Sequence, residues 1–367
     1  MDPKLIRIDQ QNLKSYFTLA GVDVSIANAI RRTILSHIDV VVMRTTPYEK
    51  NDATIHINTT RFNNEIVKQR LSCIPIHITD MDFPVDDYIV EIDVKNEEKE
   101  NRIVTTEDFR IKNVGNEQYL SKASTAKIFP AHSTTKQYVD FVRLRPEISD
   151  EIKGEHISMT CKLSKGNASE NGMFNVVSTC SYGFTPDVTA GEKQWAIREK
   201  ELQLQEKTDT QILQEKHNFA LLDAKRSFVP DSFDFVIESI GIYTCSELIV
   251  NACSVLNRML SNIIQTIEND NLQITLHEEN TYNIILQNMD HTIGKLLEYI
   301  MYHDMYLETQ KLNFCGFQRQ HPHDEFCVIR IGYTNAQSSK DYVKNDLKIA
   351  CLKGIQIFEK VVPLFET

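Results

Sequence analysis

Alternating and helically spaced apolar residues divide the start of the chain into four predicted elements. They are strands at 5–8 and 16–19, a helix with isoleucine at 26, 30, 34 and 38, and a strand at 40–43. Polar residues from Asp9 to Lys14 predict the turn between the first two strands. Asp23 and Ser25 are both suitable caps for the helix, because their side chains can accept a hydrogen bond from its first turn.

The hydrophobic period changes to two between about residues 47 and 186, which predicts a β-rich domain. The strands predicted there carry alternating apolar residues at 88–94, 157–163 and 174–182. One short helix is predicted at about 64–71, and it ends before Ile74 because the following proline disfavours helical backbone.

Residues 192–226, called the charged arm below, interrupt this pattern. They contain 14 charged residues, seven of each sign, and only a weak apolar stripe. Such a composition predicts a solvent-exposed helix or arm without a core of its own.

The remainder of the chain repeats the order of elements seen at its start. After a strand at 233–237 comes a long helix at 245–267 with a wide apolar face. The elements predicted next are a hairpin at 272–277 and 282–286, a helix capped by Asp290 or Thr292, a strand at 326–331 and a final helix at 341–361. Strand, strand, helix, strand and long helix therefore occur twice, and the β-rich domain interrupts the first set.

Composition limits the class of protein. The chain has 367 residues, a net charge of −11 and 41% hydrophobic residues, which is typical of a globular protein whose surface repels nucleic acid. It contains neither an apolar run long enough to span a membrane nor an N-terminal signal peptide. Its eight cysteines form no C-x-x-C pair, so we expect buried thiols in a reducing compartment. These features argue against a secreted, membrane or disordered protein.

Catalytic signatures are weak. Gly294-Lys295 lacks the upstream glycine of a phosphate-binding loop. The cluster of His321, His323 and Cys327 with Glu325 could bind a metal, dock a partner or form a plain turn. His291 next to the helix cap could serve in capping and packing or as a base.

Two adjacent arginines, Arg31 and Arg32, flank the apolar stripe of the first predicted helix. They either face solvent or present ion-pairing groups to a second partner.

Five segments resemble motifs of the alpha-type subunits of multisubunit DNA-directed RNA polymerases. In chain order they are N-A-I-R-R-T-I-L at 28–35, Q-R-L-S-C-I-P-I at 69–76, F-V-I-E-S-I-G at 235–241, D-H-T-I-G-K-L-L at 290–297 and F-C-G-F at 314–317 followed by H-P-H at 321–323. The chain departs from the family pattern at Ser72, where relatives have glycine, and at Lys295, where they have asparagine. The cysteine cluster that binds zinc in many cellular relatives is absent from the β-rich domain, so we expect no metal and no cofactor.

The resemblance implies an α+β fold in which two alpha-type dimerisation units form an intramolecular pseudo-heterodimer. These would be equivalents of the third and eleventh subunits of RNA polymerase II, fused in one chain as in large cytoplasmic DNA viruses. The implied domains are a first dimerisation unit at 1–47 and 187–268 that includes the charged arm, a β-rich insert at 48–186 and a second unit at 269–367. The long helices would pair through Leu248, Ala252, Val255, Met259 and Ile263 on one side and Leu347, Cys351 and Phe358 on the other.

The function implied is that of a non-catalytic assembly platform that docks the two largest polymerase subunits. The residues implied as their contacts are Asn28, Arg31, Arg32, Arg70, Asp290, His291, Thr292, Phe317, His321 and His323, the last three within a predicted loop at 314–323. Further expectations are a small partner similar to the tenth or twelfth subunit, little contact with nucleic acid, no membrane and no homodimer.

The implied location is intracellular, either in a viral factory in the host cytoplasm and packaged in the virion, or in the nucleus of a cellular host. Two other hypotheses remain open: a metal-dependent cytosolic hydrolase or deaminase that uses His321, His323 and Cys327, and a stand-alone homodimeric adaptor.

Overall fold

The computed structural model describes residues 1–335 and 339–366, which form antiparallel sheets and α-helices. The strands are β1 (Lys4–Gln11), β2 (Lys14–Ala20), β3 (Val40–Val42), β4 (Ala53–Asn58), β5 (Tyr88–Lys95), β6 (Arg102–Thr105), β7 (Arg110–Asn113), β8 (Asp140–Leu144), β9 (His156–Lys162), β10 (Ser164–Gly166), β11 (Val177–Pro186), β12 (Phe228–Ser239), β13 (Gln273–Glu278), β14 (Thr281–Gln287), β15 (Leu312–Gln318) and β16 (Phe326–Tyr333).

The α-helices are α1 (Val24–Ser36), α2 (Asn64–Ser72), α3 (Lys122–Ile128), α4 (Val188–Leu204), α5 (Asp209–Leu221), α6 (Cys245–Glu268), α7 (His291–Met301) and α8 (Lys340–Val361). A π-helical segment, Tyr302–Glu308, continues α7. Short 3-10 turns lie at Tyr48–Lys50, Val85–Asp87, Thr106–Asp108, Gly172–Phe174, Asp223–Arg226 and Val362–Leu364.

The chain divides into two compact units. Unit 1 consists of Met1–Ile34, Thr179–Glu238 and Cys245–Thr367, and unit 2 of Leu35–Ser178 with Ser239–Thr244.

Unit 1 contains the same arrangement of strands twice. Its two four-stranded sheets have the orders β1-β2-β12-β11 and β13-β14-β16-β15. In both cases the elements follow the same order along the chain: a hairpin, a helix, a second pair of strands that completes the sheet, and a long helix. We call β1, β2, α1, β11, β12 and α6 the first repeat, and β13, β14, α7, β15, β16 and α8 the second repeat. The predicted order of two strands, a helix, a strand and a long helix is thus confirmed for both repeats. The strands β11 and β15 add the fourth strand of each sheet.

Both repeats open on a tight hairpin. Gln11 pairs with Lys14 in the first and Glu278 with Thr281 in the second, so two residues form each turn. Asn12 and Asn280 have φ values of 54° and 61° in these turns. Asparagine tolerates this left-handed backbone better than most other side chains, which explains its place in both hairpins.

An aspartate caps the helix that follows each hairpin. The side chain of Asp290 accepts a hydrogen bond from the Thr292 N–H at 2.8 Å, so Asp290 and not Thr292 is the cap of α7. Asp23 likewise accepts from the Ser25 N–H at 2.7 Å at the start of α1. The predicted stripe of α1 ends early, because the helix stops at Ser36 and Ile38 is buried outside it.

The long helices α6 and α8 pack along each other within unit 1. A Cβ atom placed on Gly354 of α8 would lie 2.9 Å from Cδ1 of Leu260, so glycine allows the backbone of α8 to approach α6 closely. Near the end of this contact Lys348 donates to Glu268 at 2.7 Å. The predicted interface residues on both helices are buried, except that Met259 is only half-buried because it lies at the border of the apolar face.

The charged arm forms two mostly exposed helices, α4 and α5, as its composition predicts. It also has a small apolar contact that the sequence did not indicate: Trp195 of α4 is buried, and its ring lies 5.5 Å from that of Phe219 in α5. The backbone N–H of Asp187 donates to the carbonyl of Ser227 at 3.0 Å, so the two ends of the arm leave the β11–β12 pair side by side.

Unit 2 is β-rich, as the period of two predicts. A sheet of order β4-β9-β5-β7 is accompanied by the pairs β6-β8 and β3-β10. Alternating residues of β5 and β9, among them Val90, Ile92 and Met159, form one core with Val67 and Leu71 of α2. The helix α2 starts at its cap Asn63, whose side chain accepts from the Ile66 N–H at 2.9 Å.

Two predictions about local structure are wrong. Phe174 and Val176 precede β11, because Gly172–Phe174 turns as a 3-10 helix, capped by Asn171. The segment 314–323 is not wholly a loop either, since its first five residues belong to β15, an edge strand whose side chains are partly exposed and lack clear alternation.

Among the residues described, no helix combines the length and apolar character needed to cross a lipid bilayer.

Candidate functional site

Arg32 joins the helix of the first repeat to the capping turn of the second. Its Nη2 lies 2.5 Å from Oδ2 of Asp290, and its Nε donates to the Thr292 hydroxyl at 2.9 Å. Burial alone would raise the pKa of Asp290, but hydrogen bonds from Thr292 and Arg32 outweigh this effect and lower the pKa below its ordinary value. Arg32, Asp290 and Thr292, which are all predicted as contacts with a partner, therefore contact one another.

Tyr299 of α7 and Asp23 of α1 form a second, electrostatic relationship between the same two helices. Tyr299 follows Asp290 by nine residues, as Arg32 follows Asp23, so Tyr299 and Arg32 occupy corresponding positions. Burial is the main cause that raises the pKa of the Tyr299 phenol, and the negative charge of Asp23 contributes to the same shift. This electrostatic interaction of Tyr299 with the cap of α1 corresponds in position to the ion pair of Arg32 with the cap of α7.

The outer side of α1 carries Arg31 and Asn28. The Oδ1 of Asn28 accepts from both Nε and Nη2 of Arg31, at 3.1 and 2.9 Å, which fixes the guanidinium. Burial raises the pKa of Cys180 to about 12 and raises that of Tyr182, and the positive charge of Arg31 opposes both shifts. Arg31 has no carboxylate partner among the residues described. Its charge is held in place without being neutralised.

The corresponding positions of α7 are occupied by Lys295 and Glu298. The ammonium of Lys295 donates to Oε2 of Glu298 at 2.5 Å, while Oε1 accepts from the backbone N–H of Phe317 in β15 at 2.8 Å. The positively charged position of the first repeat is therefore negatively charged in the second. His291 packs edge-on against Phe317 with ring centroids 5.0 Å apart, a packing role for this histidine.

Phe317 also covers Gly294. A Cβ atom on Gly294 would lie 1.9 Å from Cε2 of the ring, so only glycine fits below it. The D-H-T-I-G-K and F-C-G-F motifs therefore meet at Gly294 and Phe317.

His321 and His323 lie in an exposed turn after β15. Asp324 Oδ2 accepts from the His321 N–H at 2.9 Å, and the ring of His321 accepts from the His323 N–H at 3.2 Å. Cys327 is fully buried in β16, where burial raises the pKa of its thiol to about 12. The two histidines and this cysteine therefore do not converge on one metal position.

A different group of ligand atoms does converge. Over the described ranges 1–335 and 339–366, side-chain ligand atoms of His303, Asp304 and Glu308 lie within 4.8 Å of one another. The ammonium of Lys353 lies 2.5 Å from both carboxylate oxygens of Asp304, so a cation already compensates this charge. The cluster is accounted for as an ion-pair network that links the π-helical segment to α8.

Arg70 lies in unit 2 and is used to join α2 to β8. Its Nε donates to the carbonyl of Phe141 at 2.6 Å and its Nη2 to that of Asp140 at 3.1 Å. Arg31 and Arg32 belong to unit 1.

Sequence reasoning missed Tyr299, Glu298 and Asp23 as parts of this site. The signal was present, since D-V-S-I at 23–26 and D-H-T-I at 290–293 place an aspartate, a hydroxyl residue and an isoleucine at the same spacing. Alignment of the two repeats on this pattern would have identified their corresponding positions.

Comparison with known proteins shows the family of the chain. Residues 16–260 match the model of the RNA polymerase Rpb3/Rpb11 dimerisation domain, which is more than half of the chain. The chain belongs to this family. The matched region contains most of the first repeat, and the second repeat lies beyond it.

Relatives in polymerases share moderate sequence identity with this family member. It is 26% identical over 209 residues to the human DNA-directed RNA polymerases I and III subunit RPAC1, in a match that covers 50% of this chain and 54% of the relative. The chain thus spans about half the length of that relative. The archaeal DNA-directed RNA polymerase subunit Rpo3 of Methanosphaera stadtmanae is 24% identical over 289 residues, covering 71% of this chain and 97% of its own length. The Arabidopsis thaliana DNA-directed RNA polymerases IV and V subunit 3B is 21% identical over 302 residues, covering 67% and 86%.

Proposed function

We propose that this alpha-type chain is a non-catalytic assembly subunit of a multisubunit DNA-directed RNA polymerase. The observation that carries the proposal is the repetition within unit 1: two sheets of identical strand order, with long helices packed together, in a chain of the Rpb3/Rpb11 dimerisation family. A family whose members dimerise is expected to pair such units, and here one chain supplies both.

In this proposal the chain is an intramolecular pseudo-heterodimer, made of third- and eleventh-subunit equivalents. Residues 1–47 and 187–268 form the first dimerisation unit, 48–186 the insert and 269–367 the second unit, except that β11 (Val177–Pro186) lies in the sheet of the first repeat and is assigned here to the first unit. The ion pair of Arg32 with Asp290 and the electrostatic interaction of the corresponding Tyr299 with Asp23 support it, because a two-fold interface relates such pairs. The covalent connection between α6 and β13 keeps the second unit at a high effective concentration, on the order of millimolar, so that no second chain is needed.

The two large subunits would dock on the outer faces of α1 and α7. We assign Asn28 and Arg31 to one of these surfaces and His291, Phe317, His321 and His323 to the other, while Arg70 would contribute from the insert. Different charges at the corresponding positions support selection between two different partners, because Arg31 has an uncompensated positive charge whereas Glu298 is paired with Lys295. Arg32, Asp290 and Thr292 remain predicted contacts in addition to their contacts with one another.

Catalysis would reside in the large subunits, with a small partner similar to the tenth or twelfth subunit completing the assembly. We further propose an intracellular location, in a viral factory and the virion if the gene is viral. The proposal of a fused viral subunit is supported by the two repeats in one chain, and detection of the chain in purified virions would test it.

The proposed function is tested by co-expression of the tagged chain with the two largest polymerase subunits of its source. We expect a stable ternary complex, weakened at least tenfold for one large subunit by Arg31→Glu and for the other by Glu298→Arg. Arg226→Glu, a reversal in the exposed charged arm, is the control and should leave both affinities unchanged. Failure of the wild-type chain to recover either large subunit would contradict the proposal.

The mass of the purified chain provides a second test. We expect a monomer by light scattering, since both halves of the interface are in one chain. A stable homodimer would instead support the stand-alone adaptor hypothesis. The metal-dependent hydrolase receives no support from the separated positions of His321, His323 and Cys327.

A further inference from the structure

Unit 2 contains an open cleft of about 600 Å³ that the dimerisation repeats do not explain. Four of its nine lining residues are arginines, in a chain whose net charge is −11. We call it the arginine cleft, and its lining consists of Arg61, Phe62, Arg70, Asn101, Asp140, Phe141, Val142, Arg143 and Arg145.

One arginine at the cleft is held rigidly. Arg70 donates to two backbone carbonyls of β8, and its guanidinium lies over the ring of Phe62 at 5.6 Å from the centroid. Neutral carbonyls and an aromatic face orient the cation without neutralising its charge. Arg70 therefore keeps a net positive charge in a fixed position.

Two further arginines are exposed and unpaired. Neither Arg61 nor Arg143 has a carboxylate within ion-pair distance in the part of the chain that the structure describes. Arg145 differs, because its Nε lies 2.5 Å from Oε1 of the buried Glu155, which neutralises it. The cleft thus presents three uncompensated guanidinium groups, from Arg61, Arg70 and Arg143, against the single carboxylate of Asp140.

The surroundings of the cleft limit what it can bind. The loop that ends at Asn101 carries Glu97, Glu98 and Glu100 with one cation, Lys99, and it is tied to the end of β8 by Asn96, whose Nδ2 donates to the carbonyl of Leu144 at 3.0 Å. The cleft is therefore bordered on this side by a loop of net negative charge. A nucleic acid needs a basic path along several phosphates, whereas a short segment with a few carboxylates fits a confined group of arginines.

We propose that the arginine cleft binds an acidic peptide segment of a partner protein, whose carboxylates pair with Arg61 and Arg143 next to the fixed Arg70. Guanidinium groups match carboxylates in a two-bond geometry, which a lysine cannot reproduce. The inference goes beyond the proposed function, because it assigns Arg61 and Arg143, to which that proposal gives no role. The two proposals share only Arg70, which the test below leaves unchanged.

The test uses the full chain and fluorescence anisotropy at low salt. The probe is a labelled 12-residue peptide in which glutamate and aspartate alternate with alanine, and the same peptide with glutamine and asparagine serves as the neutral control. We expect the acidic peptide alone to bind. The double variant Arg61→Gln/Arg143→Gln should weaken binding at least tenfold. The Arg143→Lys variant should bind the acidic peptide more tightly than Arg143→Gln does, but less tightly than the wild type.

The matched control is Arg110→Gln, which removes an exposed arginine of unit 2 outside the cleft and should change the affinity less than twofold. Circular dichroism of each variant separates lost binding from lost folding, and Arg61 and Arg143 are exposed enough to be replaced without disturbing the core.

Three results of the binding measurements would overturn the inference. They are no binding of the acidic peptide up to 1 mM, equal loss in the Arg110→Gln control, and equal or tighter binding of a 12-nucleotide single-stranded RNA that depends on Arg61 and Arg143. Displacement of the peptide by inorganic phosphate at the peptide's own concentration would also overturn it, because the site would then be a general anion site. Neither large polymerase subunit is needed for these measurements, so their results are independent of the proposed function.

Discussion

The guanidinium of Arg32 in the first repeat holds the carboxylate of Asp290, which caps the corresponding helix of the second repeat, at 2.5 Å. One aspartate thus serves two purposes, because it also accepts the N–H of Thr292 at the start of α7. The residues lie far apart in sequence, so their pairing links the formation of the second repeat to that of the first.

This link predicts a measurable coupling between the two side chains. Asp290→Asn keeps a good helix cap but removes the charge, and Arg32→Met removes the cation while keeping apolar bulk. Both side chains are about one third exposed, so a double-mutant cycle by urea unfolding should give a coupling of about 0.5–1 kcal/mol. The exposed pair Arg198 and Glu201 in α4 is the control and should give less. Strictly additive effects of the two substitutions would contradict a direct interaction.

The lowered pKa of Asp290 predicts how this contribution depends on pH. A carboxyl group whose pKa is lower in the folded state stabilises the fold above its unfolded pKa of about 3.9, and the contribution is lost as the pH falls through the folded value. The stability difference between wild type and Asp290→Asn should therefore be constant from about pH 5 to 7 and shrink below about pH 4. Chemical unfolding at a series of pH values measures it, and a difference that grows in acid would contradict the assignment.

The sequence allowed most elements of unit 1 to be predicted, because each depends on local spacing and capping. The stripe that includes Ile26, Ile30 and Ile34 specifies α1, and the asparagine turns specify both hairpins. The strand β15 was missed since its exposed edge position leaves Phe314 and Phe317 without a strict alternation. The pairing of Arg32 with Asp290 could not be read from local pattern, because it depends on how two distant repeats pack.

Close approach of α6 and α8 predicts that position 354 cannot accept a large side chain. Gly354→Leu would drive atoms into Leu260 and Ile300, since even a Cβ atom lies 2.9 and 3.5 Å from their terminal carbons. We expect a loss of about 1–3 kcal/mol in the free energy of unfolding, measured with urea. Ile349→Ala on the exposed side of α8 is the control, with an expected change within about 0.5 kcal/mol. If the two variants are equally stable, the helices do not pack as described.

The charged arm is expected to be dispensable for folding. The second repeat joins β15 to β16 by a short turn, whereas the first repeat inserts α4 and α5 between β11 and β12. The hydrogen bond from Asp187 N–H to the Ser227 carbonyl, at 3.0 Å, already holds the ends of the insertion at hairpin distance. Replacement of residues 188–226 by Asn-Gly, which favours tight hairpin turns, should therefore preserve the fold.

The measurement for this deletion is thermal unfolding together with light scattering. We expect a cooperative transition and an unchanged monomeric state. The free energy of unfolding should change by no more than about 1 kcal/mol, because the apolar contact of Trp195 with Phe219 lies within the removed segment. A control deletion that also removes Phe184 breaks its ring contact with Phe228, whose centroids are 4.3 Å apart, and should destabilise the sheet. If the arm deletion itself fails to fold, α4 and α5 support unit 1 and are not an appendage to it.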